Sequence, residues 1–219
     1  MTEPVAVKLS KAVPGGATAV AVPVFADRLN RVEGVRKATL DRGRFGGKPG
    51  EVLVLDDGQR ARVLVGMGAV AEAGTVQLRR AATSFGRLIG RHRRAGFEYP
   101  DGLDVDLADG IQAVTEGLVL GTYRFEAHKP KAGEEPRTEA VTIGGEGLGR
   151  ALQPAVERGR AVAEAVCFAR DLVNEPGGTL TPTVFAQRAA ERAEQAGLGV
   201  EVLDEDAIAE AGLGGLVAV

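Results

Sequence analysis

Two glycine-rich stretches contain residue types that bind phosphate groups in other proteins. The first, GRFGGKPG at 43–50, places a lysine directly after two glycines. Its spacing does not fit a phosphate loop, because three residues rather than four precede the Gly-Lys pair, and Pro49 stands where Ser or Thr would bind magnesium. The second, GGEGLG at 144–149, has the spacing G-x-G-x-G, with Arg150 where a dinucleotide site needs its last glycine. We interpret the first stretch as a structural turn and the second as a flexible domain linker.

Charged side chains form two further groups. Arginines cluster on one face of a helix predicted over 75–94, with His92 and Arg93 near its end: Arg79, Arg80, Arg87, Arg91 and Arg94. This face could contact a phosphate backbone, but a solvated helix face explains it equally well, since acidic residues follow at 98–109. The aspartates at 101, 104, 106 and 109 lack the spacing of a calcium loop, so we interpret them as surface acids.

The remaining reactive side chains have no partner that the sequence reveals. Cys167 lies within a predicted helix, where a small packed residue is expected rather than a reactive thiol. His92 and His128 lie in polar stretches and are expected to be exposed. Asp171 and Asn174, at the end of the same helix, are expected to cap it and contact a hinge. We assign no residue of the chain a catalytic, cofactor-binding or metal-binding role.

Composition limits the classes of protein that the chain can belong to. Its 219 residues, 44% hydrophobic and 26% charged, are typical of a globular protein with a sizeable core. The net charge of -3 makes no case for binding nucleic acid or an anionic membrane. One cysteine excludes an internal disulfide. The first residues lack the basic and apolar segments of a signal peptide, and no apolar run approaches a membrane span, so we expect a cytoplasmic protein with no membrane partner.

Apolar periodicity divides the chain into alternating strands and helices. Strands are predicted at 5–9, 17–25, 51–55, 61–65, 103–107, 140–143, 200–203 and 214–219. Helices are predicted at 27–40, 75–94, after a cap at Asp109, at 150–173, at 182–196 and after a cap at Asp204. Thr75 is expected to cap the second of these helices, and Asp56-Asp57-Gly58 to form a hairpin turn. The alternation predicts an α/β fold with a mixed sheet flanked by helices.

Several stretches resemble the leucyl aminopeptidase family, also called cytosol aminopeptidases. The most specific is ARDLVNEPGGTLTP at 169–182, followed by FAQRAAERAEQAG, VEVLDED and GLGGLVAV. GRFGGKPGE, VLVGMG, LRRAA and EGLVLGTYRFEAHKPK recur in the same order in the amino-terminal half. The resemblance therefore covers the whole chain.

The resemblance implies a macro-domain-like amino-terminal domain at 1–149, a linker helix at 150–174 and the beginning of a second α/β domain at 175–219. Family members are usually hexamers that cleave amino-terminal residues, often leucine, from peptide substrates with two divalent metal ions, zinc, manganese or magnesium. Their metal ligands lie in motifs of the form VGKGxTFDSGG and NTDAEGRL, and no part of this sequence matches either. Because the chain also ends within an apolar run, we expect a truncated, structural and inactive fragment of the enzyme. A module that binds ADP-ribose or another nucleotide and a DNA-binding accessory domain stay as alternatives.

Overall fold

The computed structural model of the protein describes residues 4–56, 58, 60–129 and 136–218. Asp57 and Val219, which belong to two of the predicted elements, lie outside this range. By its internal contacts the chain divides into two compact units, 1–168 and 169–219. None of the helices in the described ranges is both long and apolar enough to cross a membrane.

The first unit is built on a six-stranded mixed sheet. Its strands are β1 (Ala6–Ser10), β2 (Ala19–Phe25), β3 (Val52–Asp56), β4 (Ala61–Gly68), β5 (Arg94–Glu98) and β6 (Ala140–Gly144). They lie in the order β1-β6-β5-β2-β4-β3, and every neighbouring pair is parallel except β3 with β4. The antiparallel pair is the predicted hairpin, in which the Asp56 carboxylate accepts a hydrogen bond from Gly58 N at 2.8 Å. The predicted α/β fold with a mixed sheet is confirmed.

Helices cover both faces of this sheet. The unit contains α1 (Lys37–Arg42), α2 (Thr75–Leu88), α3 (Leu107–Thr122) and the larger part of α4 (Gln153–Asn174), with short 3₁₀ helices at Ala26–Arg31, Val70–Glu72 and Arg150–Leu152. The main core buries Phe85 of α2, Leu118 of α3 and Phe97 of β5 on one face. A smaller core on the opposite face joins Leu40 and Phe45 to Leu64 of β4. Burying these side chains, at roughly 25 cal/mol per Å² of apolar area, drives the unit to fold.

The described residues of the second unit form helices joined by irregular segments, with no strand among them. It contains α5 (Pro182–Gln195), α6 (Glu205–Glu210) and α7 (Gly214–Val217). Thr181 and Asp204 cap α5 and α6 as predicted, accepting hydrogen bonds from Val184 N and Ala207 N. The strands predicted at 200–203 and 214–219 are wrong over the described residues, because 200–203 is irregular and Gly214–Val217 is helical. An apolar run becomes a strand only where a neighbouring strand takes up its backbone hydrogen bonds, and these segments pair with none that the structure describes.

Three predicted helices and strands within the first unit are also wrong. The helix predicted at 27–40 is divided into a 3₁₀ helix and α1, because Gly34 between them has φ +69°, which no helix accommodates. The helix predicted at 75–94 ends at Leu88. Arg94 instead begins β5, a strand that the apolar periodicity does not predict.

The strand predicted at 103–107 is the third error. Leu103, Val105 and Leu107 do pack on the core, but 103–106 is irregular and Leu107 begins α3. The cap of α3 is therefore Asp106 rather than Asp109, with its carboxylate accepting from Ala108 N and Asp109 N. The cap of α2 is likewise Gly74 rather than Thr75, and the Gln77 side chain accepts from Gly74 N at 3.0 Å.

Candidate functional site

A cleft of about 590 Å³ opens at the carboxyl ends of β2 and β5. These strands are parallel neighbours, but the chain leaves them in opposite directions, from β2 toward β4 and from β5 toward β6. Connections that diverge in this way leave a crevice outside the sheet, which is where open α/β sheets bind ligands. The volume also lies within the usual range for small-molecule sites. Sheet topology thus makes this cleft the candidate site.

Apolar side chains form one part of the cleft lining. Val22, Val24 and Phe25 come from β2, and Val32 comes from the segment that follows the first 3₁₀ helix. Val24 and Phe25 are buried, whereas Val22 and Val32 are half-buried. They present a surface on which an aliphatic group can pack.

Three arginines supply positive charge around this surface. The Arg28 guanidinium lies over the Phe25 ring, 5.7 Å from its centroid, in a cation–π contact. Arg62, which interrupts the apolar β4, donates from Nη1 to the carbonyl oxygen of Glu33 at 3.0 Å. Arg31 is exposed, and no residue of the described chain forms a hydrogen bond or ion pair with it. Each guanidinium therefore keeps N–H groups that can donate to an anion.

Two carboxylates lie in the same cleft, on Glu33 and Glu98. Partial desolvation raises the pKa of Glu98, and the charge of Glu33 raises it further, while Arg62 and Arg60 act in the opposite direction. The Glu98 residue as a whole is exposed, and its carboxylate accepts no hydrogen bond from the described part of the chain. The cleft thus combines charges of both signs with an apolar surface.

The loop GRFGGKPG is a structural turn, as predicted. The Glu51 carboxylate accepts hydrogen bonds from Gly46 N and Lys48 N at 2.9 and 3.0 Å, so these backbone donors are already used. Gly66 of β4 lies directly beneath the loop, where an added Cβ would come within 2.0 Å of the Lys48 carbonyl oxygen. Neither this loop nor the other glycine-rich stretch lines the cleft.

The stretch GGEGLG packs its first glycines against the unit. A Cβ on Gly144 would meet Val13 N at 2.3 Å, and one on Gly145 would meet the Tyr99 Cβ at 3.1 Å. Gly145 N donates to the Ser10 carbonyl oxygen at 3.2 Å. The beginning of this stretch is therefore held in place, which differs from the flexible linker that its composition predicts.

Some arginines of the arginine-rich face form ion pairs within the unit. Arg79 forms an ion pair at 2.5 Å with Glu116, which is buried between α2 and α3. Arg93 pairs with Glu139 at 2.5 Å. His92 is half-buried rather than exposed, and its Nδ1 is 3.0 Å from the Thr18 hydroxyl. Arg87, Arg91 and Arg94 are exposed.

The other singled-out residues have structural surroundings. Cys167 is half-buried against the main core, as predicted for a packed residue. His128 is exposed, with its ring centroid 5.8 Å from that of Phe125. Asp171 accepts from Glu175 N through its carbonyl oxygen at the end of α4. Among the described residues, no three His, Cys, Asp or Glu side chains are grouped so that they could hold a metal ion.

Fold and site together define an α/β protein with a ligand-sized crevice at the switch point of its sheet. Comparisons with known proteins are more specific. Residues 17–132 match the family model described as "Cytosol aminopeptidase family, N-terminal domain", and residues 167–219 match "Cytosol aminopeptidase family, catalytic domain". The chain therefore belongs to the cytosol aminopeptidase family.

Individual relatives agree with this assignment. A probable cytosol aminopeptidase of Syntrophotalea carbinolica is 35% identical over 210 residues, which are 90% of this chain and 42% of the relative. The solved structure of the bottromycin maturation enzyme BotP is 35% identical with a TM-score of 0.75, covering 93% of this chain and 43% of BotP. A structure of BotP in complex with Mn is also similar, at 34% identity and a TM-score of 0.66, over 83% of this chain and 37% of that one.

A mutant of tomato leucine aminopeptidase shares the fold. It is 19% identical with a TM-score of 0.81, over 96% of this chain and 47% of the tomato chain. The chain thus spans less than half the length of each of these relatives.

Proposed function

We propose that this chain is the amino-terminal portion of a metal-dependent leucyl aminopeptidase, which removes amino-terminal residues, leucine among them, from peptides. One observation carries the proposal. The two family models match in the order N-terminal domain then catalytic domain, and the chain aligns over 90% of its length with 42% of a probable cytosol aminopeptidase. In the same proposal, the first 149 residues act as a macro-like domain and α4 as a linker to the catalytic domain.

The hydrolysis would use two divalent metal ions, zinc or manganese, held by residues outside this chain. The complex of BotP with Mn supports a divalent metal, since that enzyme is 34% identical to the chain. Such ions activate a water molecule and polarise the carbonyl of the scissile peptide bond. The proposed contribution of the 219 residues is structural, because they contain neither of the family motifs that carry metal ligands.

Exposed apolar side chains in the second unit support this role. Phe185 of α5, Leu198, Val202 and Leu216 each expose half or more of their surface. Several large apolar groups exposed within one short unit are typical of a surface that another part of a protein covers. Additional polypeptide of the catalytic domain would cover them here, and we propose that the complete enzyme forms a cytoplasmic hexamer.

Activity measurements on two polypeptides test the proposal. The 219-residue chain and a longer one with the length of the relatives are assayed with leucine p-nitroanilide in manganese or zinc. We expect release of p-nitroaniline by the longer polypeptide only, and loss of that activity with a chelator. Metal-dependent hydrolysis by the 219-residue chain alone would contradict the structural role. A metal-loaded longer polypeptide that cleaves no aminoacyl substrate would contradict the proposed activity itself.

A further inference from the structure

We propose that the cleft between β2 and β5 binds a small zwitterion, namely an apolar amino acid or dipeptide. The ligand carboxylate would contact the arginines, its ammonium would contact Glu98, and its side chain would pack on the valines of β2. The proposal concerns binding in the first unit alone, and it does not require that the chain hydrolyse peptides.

The charge distribution selects this class of ligand. Arg28, Arg31 and Arg62 line the cleft together with Glu33 and Glu98. A polyanion such as a nucleotide would be attracted by the arginines but repelled by two carboxylates a short distance away. A purely apolar molecule would desolvate charged groups without giving them partners. A zwitterion avoids both costs, because each of its charged ends has an opposite charge in the lining.

Arginine is suited to the carboxylate end of such a ligand. A guanidinium presents planar N–H donors that match a carboxylate in a bidentate arrangement. Arg31 has no hydrogen bond or ion pair with the described part of the chain, and Arg62 donates one hydrogen bond, from Nη1 to the Glu33 carbonyl oxygen. Packing of Arg28 on Phe25 restricts the guanidinium while leaving its edge N–H groups available. These groups are therefore available without breaking an ion pair.

Glu98 is suited to the ammonium end. Its carboxylate is partly desolvated, as the upward shift of its pKa indicates, and no described residue donates a hydrogen bond to it. An ammonium group would supply charge-assisted hydrogen bonds that the folded chain does not. In register, Glu98 lies beside Val22, because β2 and β5 pair Ala21 with Phe97. The charged and apolar contacts are therefore adjacent.

The cleft is large enough for a dipeptide as well as for a single amino acid. Its volume of about 590 Å³ lies in the middle of the range for small-molecule sites. Apolar dipeptides and amino acids are also the products expected from peptide hydrolysis. The occupancy of the cleft would then rise with the concentration of these products. This interpretation rests on the proposed function, whereas the binding itself does not rest on it.

Binding of Leu-Leu to the full 219-residue chain tests the proposal by isothermal titration calorimetry. We expect dissociation constants in the millimolar range or tighter. N-acetyl-Leu-Leu, which lacks the ammonium, and Leu-Leu amide, which lacks the carboxylate, should each bind about tenfold more weakly, since an interaction of about 1.4 kcal/mol is lost. Free leucine measures the contribution of the second residue, and ADP-ribose serves as the polyanionic competitor.

Two variants assign the ends of the ligand, and two others serve as controls. E98Q should weaken the binding of Leu-Leu about tenfold but leave the affinity for N-acetyl-Leu-Leu unchanged. R31Q should likewise weaken the binding of Leu-Leu about tenfold but leave the affinity for Leu-Leu amide unchanged. E157Q and R91Q change exposed residues outside the cleft lining and should bind Leu-Leu as the parent chain does. Circular dichroism spectra identical to those of the parent chain establish that the variants are folded.

Three results would overturn the proposal. One is the absence of Leu-Leu binding to the folded chain, and another is equal binding of Leu-Leu and its two blocked forms. The third is preferential binding of ADP-ribose, which would assign the cleft to a nucleotide. None of these results bears on the aminopeptidase assay, so the two proposals can fail separately.

Discussion

The two units differ in what covers their apolar side chains. In the first unit Phe85, Phe97 and Leu64 are fully buried, together with the other large side chains of the core. In the second unit no described residue is buried, and Phe185 remains 50% exposed. The first unit thus contains the apolar burial that stabilises a domain, whereas the second contains helices whose apolar faces lack a partner in the described chain. Residues of the same type should therefore have very different effects on stability in the two units.

Paired truncation of two phenylalanines should produce the largest difference. Phe85 is 0% exposed and packs edge-on against Phe97, with the ring centroids 6.3 Å apart. F85A should lower the free energy of unfolding by about 3–5 kcal/mol through lost burial and a cavity. F185A should change it by less than about 0.5 kcal/mol. Urea denaturation followed by circular dichroism measures both, and equal losses would refute the comparison.

Paired glycine substitutions should give the next largest effect. In G66A the new Cβ would overlap backbone atoms of Gly47 and Lys48, so the loop at 43–50 must move. We expect a loss of about 1–3 kcal/mol from overpacking. In G178A the Cβ would meet nothing within 4 Å, and the loss should be below about 0.5 kcal/mol. Thermal unfolding of the two variants compares them, and a tolerated G66A would show that the loop is not fixed.

Removing the Tyr99 hydroxyl tests the effect of a buried polar group in the first unit on stability. This hydroxyl is buried without a hydrogen-bond partner in the described structure, so Y99F should increase stability at neutral pH by up to about 1 kcal/mol. Burial, followed by the charge of Asp106, raises the pKa of Tyr99 to about 12 from an ordinary value of 10.0. Between these values the unfolded chain releases the proton first, so stability should fall as pH rises from 10 to 12.

Phenolate absorbance and alkaline denaturation measure this effect. Y99F should lose the absorbance component that titrates near pH 12 and should flatten the alkaline decline in stability. A Y99F variant that is less stable at neutral pH would mean that the hydroxyl does find a partner.

The smallest effect is expected at the cleft, from E98Q. Since the pKa of Glu98 is raised above the ordinary value of 4.5, the folded state favours the protonated carboxyl. Its stabilising contribution is present below pH 4.5 and is lost as pH rises through the folded pKa. The glutamine variant should therefore gain stability relative to the parent chain as pH increases, by less than about 0.5 kcal/mol. Denaturation at a series of pH values measures the difference in stability between E98Q and the parent chain. A difference that moves in favour of E98Q as pH falls would contradict the predicted direction.

Much of the fold could be predicted from periodicity in the sequence. The alternation of Val20, Val22 and Val24 identifies β2, and the spacing of Leu78, Ala82 and Phe85 identifies α2. Strand β5 could not be found in this way, because RAGFE has charged ends and a central glycine. Gly96 is required there since a Cβ would meet Val13 at 2.1 Å, and this contact exists only after folding.

The candidate site could not be predicted for a related reason. Its charged residues come from β4, β5 and the segment after β2, and no spacing along the chain connects them. The one local signal is Arg62, a charged residue inside the otherwise apolar run of β4. The glycine-rich stretches have stronger motifs, but their glycines serve close packing of the backbone. The glycine-rich motifs therefore identify closely packed backbone, whereas the cleft is located only by the order of the strands in the sheet.

The position of β1 at one edge of the sheet has a consequence for the order of folding. Among the strands that the structure describes, it pairs with β6 alone, with Ala6 beside Ala140 and Ser10 beside Gly144. During synthesis the first strand emerges from the ribosome long before the strand on which it will dock. Pairings between such distant segments form slowly, because a long loop must close first. The amino terminus should therefore join the sheet late, and hydrogen–deuterium pulse labelling during refolding should find β1 protected after β2 and β4.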